Sequence, residues 1–269
     1  MLKRIKILFI GLFMMILAIG NSYTVYADNT LNLYMDDKSE LQLASAKSGK
    51  WIQASDGRWW YRHDDGSYTT NGWEYIKNQW YYFDSEGWMV TGKINLNGTI
   101  FGFNSNGELY YTRLAVPRIS QNKTNWCWAA SSLMVGKYIN PSSNKTQSNI
   151  VSYVKGSIVN DGGSDYEVER AIEFVCSADA IANYSNLSAN NCEDKLMNYK
   201  PIVMHMSWFG KDMGHDITCF EYDRDNNHTF SFHDPWGNTN DYSVRYRDLV
   251  TSANLPTGNG KCTSMVWLR

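Results

Sequence analysis

Gln121-Asn-Lys-Thr-Asn-Trp-Cys127-Trp-Ala-Ala130 decides how the C-terminal half of this chain is read. From Trp126 to Tyr138 there is no proline, and glycine enters only at Gly136, so the spacing predicts a helix with Cys127 at its start. A thiol there feels the positive end of the helix dipole, which favours the thiolate, the nucleophilic form. Gln121 lies six residues upstream, in the loop entering the helix. Its amide and the backbone N–H of Cys127 would give two donors for a tetrahedral oxyanion.

A thiolate needs an imidazole partner. Of the five histidines, His63 lies far upstream, His228 sits in an Asn/Asp turn, and His205 lies inside a strand as a hydrogen-bonded structural group. His233 adjoins Asp234 and should point to the opposite strand face. His215 follows Gly214 at the mouth of the apolar strand Ile217–Phe220, where an exposed, oriented ring fits, and is the expected base. Asp234, in His233-Asp-Pro-Trp-Gly237, ends the next strand and would hold the second ring nitrogen. Helical periods at 166–180 and 190–199 precede strands at 202–206, 216–222, 229–232 and 265–268, an α+β order with the Cys-bearing helix first and an antiparallel sheet after it.

Gln, Cys, His and Asp in that order resemble papain-like cysteine peptidases across residues 114–269. Asn-Trp-Cys-Trp-Ala-Ala, Gly-His and Asp-Pro-Trp-Gly are most similar to the bacterial branches of that fold, the bacteriocin-leader-type peptidases and the effector proteases of plant pathogens. The resemblance implies peptide hydrolysis through a thioester without a cofactor or metal: Cys127 attacks, His215 shuttles the proton, Asp234 orients it and Gln121 lines the oxyanion hole. The cysteine spacing offers no zinc site; Cys176, Cys192, Cys219 and Cys262 are left without an assigned partner.

Upstream, residues 51–111 hold six tryptophans and seven tyrosines. Trp59-Trp60-Tyr61-Arg62 repeats as Trp80-Tyr81-Tyr82-Phe83 and, weakened, as Phe101-Gly102-Phe103-Asn104, with Gly66, Gly87 and Gly107 at matching places. Short aromatic strands and Gly turns at a period near 21 mean stacked β-hairpins, a solenoid-like module over 49–113. Alternation puts Trp80 and Tyr82 on one face, Tyr81 and Phe83 on the other, so one face builds the core and the other stays accessible. The pattern resembles the choline-binding, cell-wall-binding repeats of surface proteins in Gram-positive bacteria. By that resemblance Trp73, Trp80 and Tyr82 would cage choline, on teichoic acid, or a wall glycan. The third copy, without tryptophan and with Gly102 in place of a tyrosine, fits a cage poorly.

Lys3, Arg4 and Lys6, the apolar run Ile7–Ile19 and Val25-Tyr26-Ala27 have the layout of a secretory signal peptide over 1–27, followed by a polar linker over 28–48. The run is too short for an ordinary membrane span, and no later run approaches that length. Cleavage would move the formal charge from −2 to −5. Without a Lys/Arg cluster, that excludes an electrostatic footprint for nucleic acid.

The expected protein is therefore a secreted, wall-associated cysteine peptidase acting on a peptide or protein. The competing readings are a peptidoglycan-peptide amidase or endopeptidase, and a non-catalytic wall adhesin. If the two modules are separable, deleting 49–111 should spare turnover and abolish wall binding.

Overall fold

A computed structural model describes residues 48–184, 188–237 and 239–269. The expected signal peptide and all of the linker but Ser48 lie outside the described residues.

Seven strands of five residues come first: β1 (Gly49–Gln53), β2 (Trp59–His63), β3 (Gly72–Ile76), β4 (Gln79–Phe83), β5 (Gly92–Leu96), β6 (Thr99–Phe103) and β7 (Leu109–Arg113). The hairpins β3–β4 and β5–β6 close on the two-residue turns Lys77-Asn78 and Asn97-Gly98, all with positive φ. Such turns match the right-handed strand twist. Between hairpins, Asp84 and Asn104 each accept two backbone N–H bonds through their side chains, and Gly87 and Gly107 follow at φ 85° and 79°. Those glycines also touch the preceding unit: a Cβ on Gly107 would lie 2.3 Å from Met89 Sδ, and one on Gly87 2.6 Å from Tyr68 Cδ2. The 21-residue period is thus a steric requirement for stacking as well as a turn preference.

The helical segment follows: α1 (Cys127–Ile139), α2 (Gln147–Lys155) and α3 (Asp165–Cys176), then β8 (Ala180–Asn183) and α4 (Ala189–Met197). The remaining strands are β9 (Ile202–Trp208), β10 (Gly214–Asp223), β11 (Thr229–His233) and β12 (Tyr242–Arg245), with α5 (Tyr246–Thr251), β13 (Ala253–Leu255) and β14 (Gly258–Leu268). Helices before an antiparallel sheet are the expected order. α2 carries a full capping box between Thr146 and Asn149, and α3 another between Ser164 and Glu167.

The sheet runs β13-β14-β9-β10-β7-β6-β5, with β11 and β12 continuing from β10 and β8 pairing β14. β10 organises it. Residues 214–219 pair with β9, residues 221–223 pair with β7, and β11 takes the opposite edge. A bulge between Cys219 and Glu221 separates the two stretches. The third repeat is therefore hydrogen-bonded into the same sheet as the C-terminal strands, while β1–β2 and β3–β4 remain two-stranded ribbons.

Cores follow the same division. Met204, Met206, Ile217, Cys219, Phe230 and Phe232 fill one side of the sheet. Trp126, Trp128 and Ala129 of the α1 start, with Ile172 and Val175 of α3, cover the other. Among the repeats, Tyr61, Ile76, Tyr81 and Phe83 form one cluster; Phe101, Phe103 and Leu109 form another, reaching Met197 at the end of α4.

Candidate functional site

The loop into α1 is pinned from three directions. Trp126 and Trp128, 2% and 0% exposed, donate through their indole N–H groups to the carbonyls of Val159 and Asp161. Asn125 donates to Asn160. Gln147 of α2, itself buried, accepts from Asn122 N and donates to Ser120 O, both at 2.8 Å. This explains the Asn-Trp-Cys-Trp sequence: the two indoles anchor, and Cys127 between them stays partly exposed while the other four cysteines are buried. Cys127, Cys192, Cys219 and Cys262 are free thiols.

Cys127 is the first residue of α1, as expected, yet the helix start does not make its thiol acidic. Burial, with the Asp216 carboxylate next, pushes the thiol well above its ordinary pKa, and the backbone N–H groups of Asp216 and Trp128 only partly offset this. The Sγ–H donates to Asp216 Oδ2 at 3.7 Å.

His215 lies one residue before Asp216 on β10. Its Nε2 is 2.7 Å from Asp234 Oδ1. The ring is buried rather than exposed, at 5% accessibility, and Trp208 stacks on it with centroids 6.1 Å apart. The pairing is a consequence of register: Thr218 of β10 faces His233 of β11, so the strand ends carrying His215 and Asp234 meet. Asp234, 0% exposed, also accepts from Trp236 N, the Tyr242 hydroxyl and the Thr257 hydroxyl at 2.9–3.2 Å. Burial alone would raise its pKa; the hydrogen bond and charge of His215 outweigh it and hold the carboxyl below its usual value. Arg118 fastens the loop beyond, donating to Asp234 O and Thr239 O. Gly214 is required by close approach: a Cβ there would sit 2.4 Å from Met206 O and 2.5 Å from His205 Nε2.

Gln121 is beside the helix start, its N–H bonded to Pro235 O at 2.7 Å. Its side-chain amide, however, donates to the Lys123 and Thr124 carbonyls, both at 2.8 Å, and its Oε1 is buried without a partner. In this structure neither amide hydrogen is aimed at the sulfur. A cleft of about 370 Å³ lies alongside, lined by Gln121, Lys123, Thr124, Asn160 and Trp236.

The other histidines are engaged elsewhere. His63 bridges Ser67 and Glu74 between the first two repeats, His228 meets the Tyr222 hydroxyl, and His233 is held by Asp241 and Val116 O. His205 is hydrogen-bonded as expected, but its partner is Asp216, at 3.0 Å, beside the thiol. Asp216 is not among the residues expected at the site. A lone carboxylate entering the strand Ile217–Phe220 was the available sign, because a buried charge requires partners.

Trp73, Trp80 and Tyr82 do come together, with Trp73 centroids 6.3 and 5.2 Å from the other two. Their face is not left open: Trp73 also packs edge-on against Phe101 at 4.8 Å and lies 5.6 Å from Phe103, and all three rings are half-buried.

Known proteins give two family matches. Residues 70–113 match the choline-binding repeat, and residues 111–246 match the papain-like cysteine protease AvrRpt2. Among solved structures, the Cpl-1 endolysin complexed with a peptidoglycan analogue is 38% identical over 24% of this chain and 19% of its own, with a TM-score of 0.22. Choline binding protein F from Streptococcus pneumoniae is 33% identical over 23% and 20%, TM-score 0.21. A Bacillus anthracis chain described as a C39-like peptidase is 12% identical over 58% of this chain and 95% of its own, TM-score 0.41. This chain thus spans about a fifth of the first two, and no curated protein matches. The AvrRpt2 match covers half of the sequence and contains Gln121, Cys127, His215 and Asp234, and on that ground the chain belongs to the AvrRpt2 family of papain-like cysteine peptidases.

Proposed function

We propose that this peptidase cuts peptide bonds with Cys127 as nucleophile, His215 as general base and acid, and Asp234 as the group that orients the ring. The observation that carries this reading is the buried 2.7 Å His215–Asp234 pair, on a strand whose next residue touches the Cys127 thiol. Asp234 occupies Nε2 and leaves Nδ1 to take the sulfur proton. Sγ then attacks the carbonyl carbon. Collapse breaks the C–N bond, His215 returns the proton to the departing amine, and water hydrolyses the thioester. The backbone N–H of Cys127, one of those the helix start leaves without an intrahelical partner, would bind the oxyanion. Gln121 joins it by exchanging one of its two carbonyl partners.

The repeats would hold the enzyme, once exported, on choline or glycan of a cell wall through the Trp73, Trp80 and Tyr82 cluster, with a wall-associated peptide or protein as substrate. The test is turnover of an unstructured protein by the full chain. Cys127→Ala should abolish it while retention on choline resin and purified walls persists; turnover surviving in Cys127→Ala defeats the assignment. The rings are tested on the same resin, where Trp73→Ala should elute early.

A further inference from the structure

Asp234 is bound more completely than the orientation of one imidazole requires. An ionised carboxylate offers about four lone-pair sites, and here each meets a donor. His215 Nε2 and Trp236 N donate to Oδ1 at 2.7 and 2.9 Å. The hydroxyls of Tyr242 and Thr257 donate to Oδ2 at 3.1 and 3.2 Å. Filled in this way, the carboxylate cannot turn about its own axis without breaking these bonds. Burial, followed by the Asp234 charge, pushes the Tyr242 phenol well above its ordinary pKa, so it stays a donor.

The two hydroxyls come from elements outside the β10–β11 hairpin that pairs His215 with Asp234. Tyr242 opens β12 opposite Phe232 of β11, so its side chain shares a face with Phe232 and reaches Asp234 just beyond. Thr257 belongs to the turn Pro256-Thr257 that joins β13 to β14. That turn also presses on Trp208, the ring stacked on His215: a Cβ on Gly258 would lie 2.8 Å from Trp208 Cδ2. It therefore bears on both members of the pair, on the carboxylate through Thr257 and on the imidazole through Trp208. It lies past residue 246, where the family match ends. We infer that the β13–β14 turn completes the site, with Thr257 and Tyr242 as positioning residues that lock the Asp234 carboxylate so that Oδ1 faces His215. This rests on His215 and Asp234 acting in the proposed reaction. Without the hydroxyls, Oδ2 is a buried charge lacking partners, and the carboxylate turns to share the donors that remain. The ring then loses its fixed acceptor. Neither hydroxyl lines the cleft beside Gln121, so the loss falls on kcat and not on KM.

The experiment is casein hydrolysis by the full chain, with kcat and KM read separately. Thr257→Val keeps the shape and removes the hydroxyl; it should lower kcat about tenfold with KM unchanged, the cost of one hydrogen bond to a buried charge. Tyr242→Phe should do the same, and Thr257→Ser, which restores the hydroxyl, should recover most of the loss. In an Asp234→Ala background nothing is left to orient, so Thr257→Val should lower the residual kcat no further. A further loss in that background, or a loss confined to KM, marks a merely structural role and overturns the inference. Wild-type kcat in Thr257→Val beside an inactive Cys127→Ala overturns it too and leaves the nucleophile standing. Should Thr257→Val not fold, Tyr242→Phe is read in the same two backgrounds, with the same outcomes deciding.

Discussion

The first two hairpins and the third come from one repeating sequence and end in different structures. β1–β2 and β3–β4 are isolated ribbons, while β5–β6–β7 is part of the sheet that carries His215. The difference is traceable to the positions where the third copy departs from its siblings. Gly102 stands where Tyr81 stands one unit earlier, and a Cβ there would meet Tyr111 at 2.9 Å and Tyr110 at 3.2 Å. Removing that side chain lets β7 close on β6 and offer its other edge to β10. Phe101 and Phe103 stand where Trp80 and Tyr82 stand one unit earlier, and make a surface for Trp73, Tyr199 and Met197. A degenerate repeat is in this case a joint, and the two modules expected to be separable share a sheet.

The comparison breaks most directly by deletion. Removing 49–113 should unfold the peptidase, because β10 loses its partner along 221–223 and Leu109 leaves Met197 bare. Removing 49–69 should leave turnover and the main melting transition intact. Equal outcomes for the two deletions, read by circular dichroism and turnover, would erase the distinction. Next in size, Phe101→Ala should cost about 3–5 kcal/mol of the cooperative unfolding that includes the sheet carrying His215. Trp51→Ala, in the first ribbon, should leave that transition unmoved.

A third expectation concerns acid. The Asp234 carboxyl lies below its usual pKa because its bond to His215 outweighs burial, so its stabilisation is complete above about pH 4 and is lost as pH falls through the lowered folded value. Asp234→Asn should flatten the acid limb of the melting temperature against pH. The smallest effect sits in the joint itself. Tyr111 and Arg113 of β7 both donate to Glu221 of β10, at 2.8 and 2.9 Å, and burial followed by that carboxylate pushes the tyrosine up to about 12. Tyr111→Phe should cost about 1 kcal/mol in denaturant unfolding, whereas Tyr61→Phe should leave the peptidase transition alone.

Much of this was legible in the residues. Asn-Trp-Cys-Trp marks a helix start because indoles must be buried and alanines follow; Gly66, Gly87 and Gly107 mark turns because only glycine takes a left-handed backbone cheaply. His215 and Asp234 were found as a pair because strand ends in a hairpin meet. What escaped was set across the chain. The thiol expected to be acidic is pushed up by burial and by Asp216, the His215 ring expected to be open lies beneath Trp208, and Gln121 spends its amide on neighbouring carbonyls.

By itself the sequence determined the aromatic period, the helix that begins at Cys127 and the pairing of His215 with Asp234. These depend on local φ/ψ preference and on the alternation of buried side chains, which neighbours in sequence dictate. Only the tertiary structure decided that the third repeat joins the sheet carrying His215, and that Asp216 and His205 stand beside the sulfur. Strand order and the burial of a charge depend on which distant elements share a core, and no periodicity along the chain records that choice.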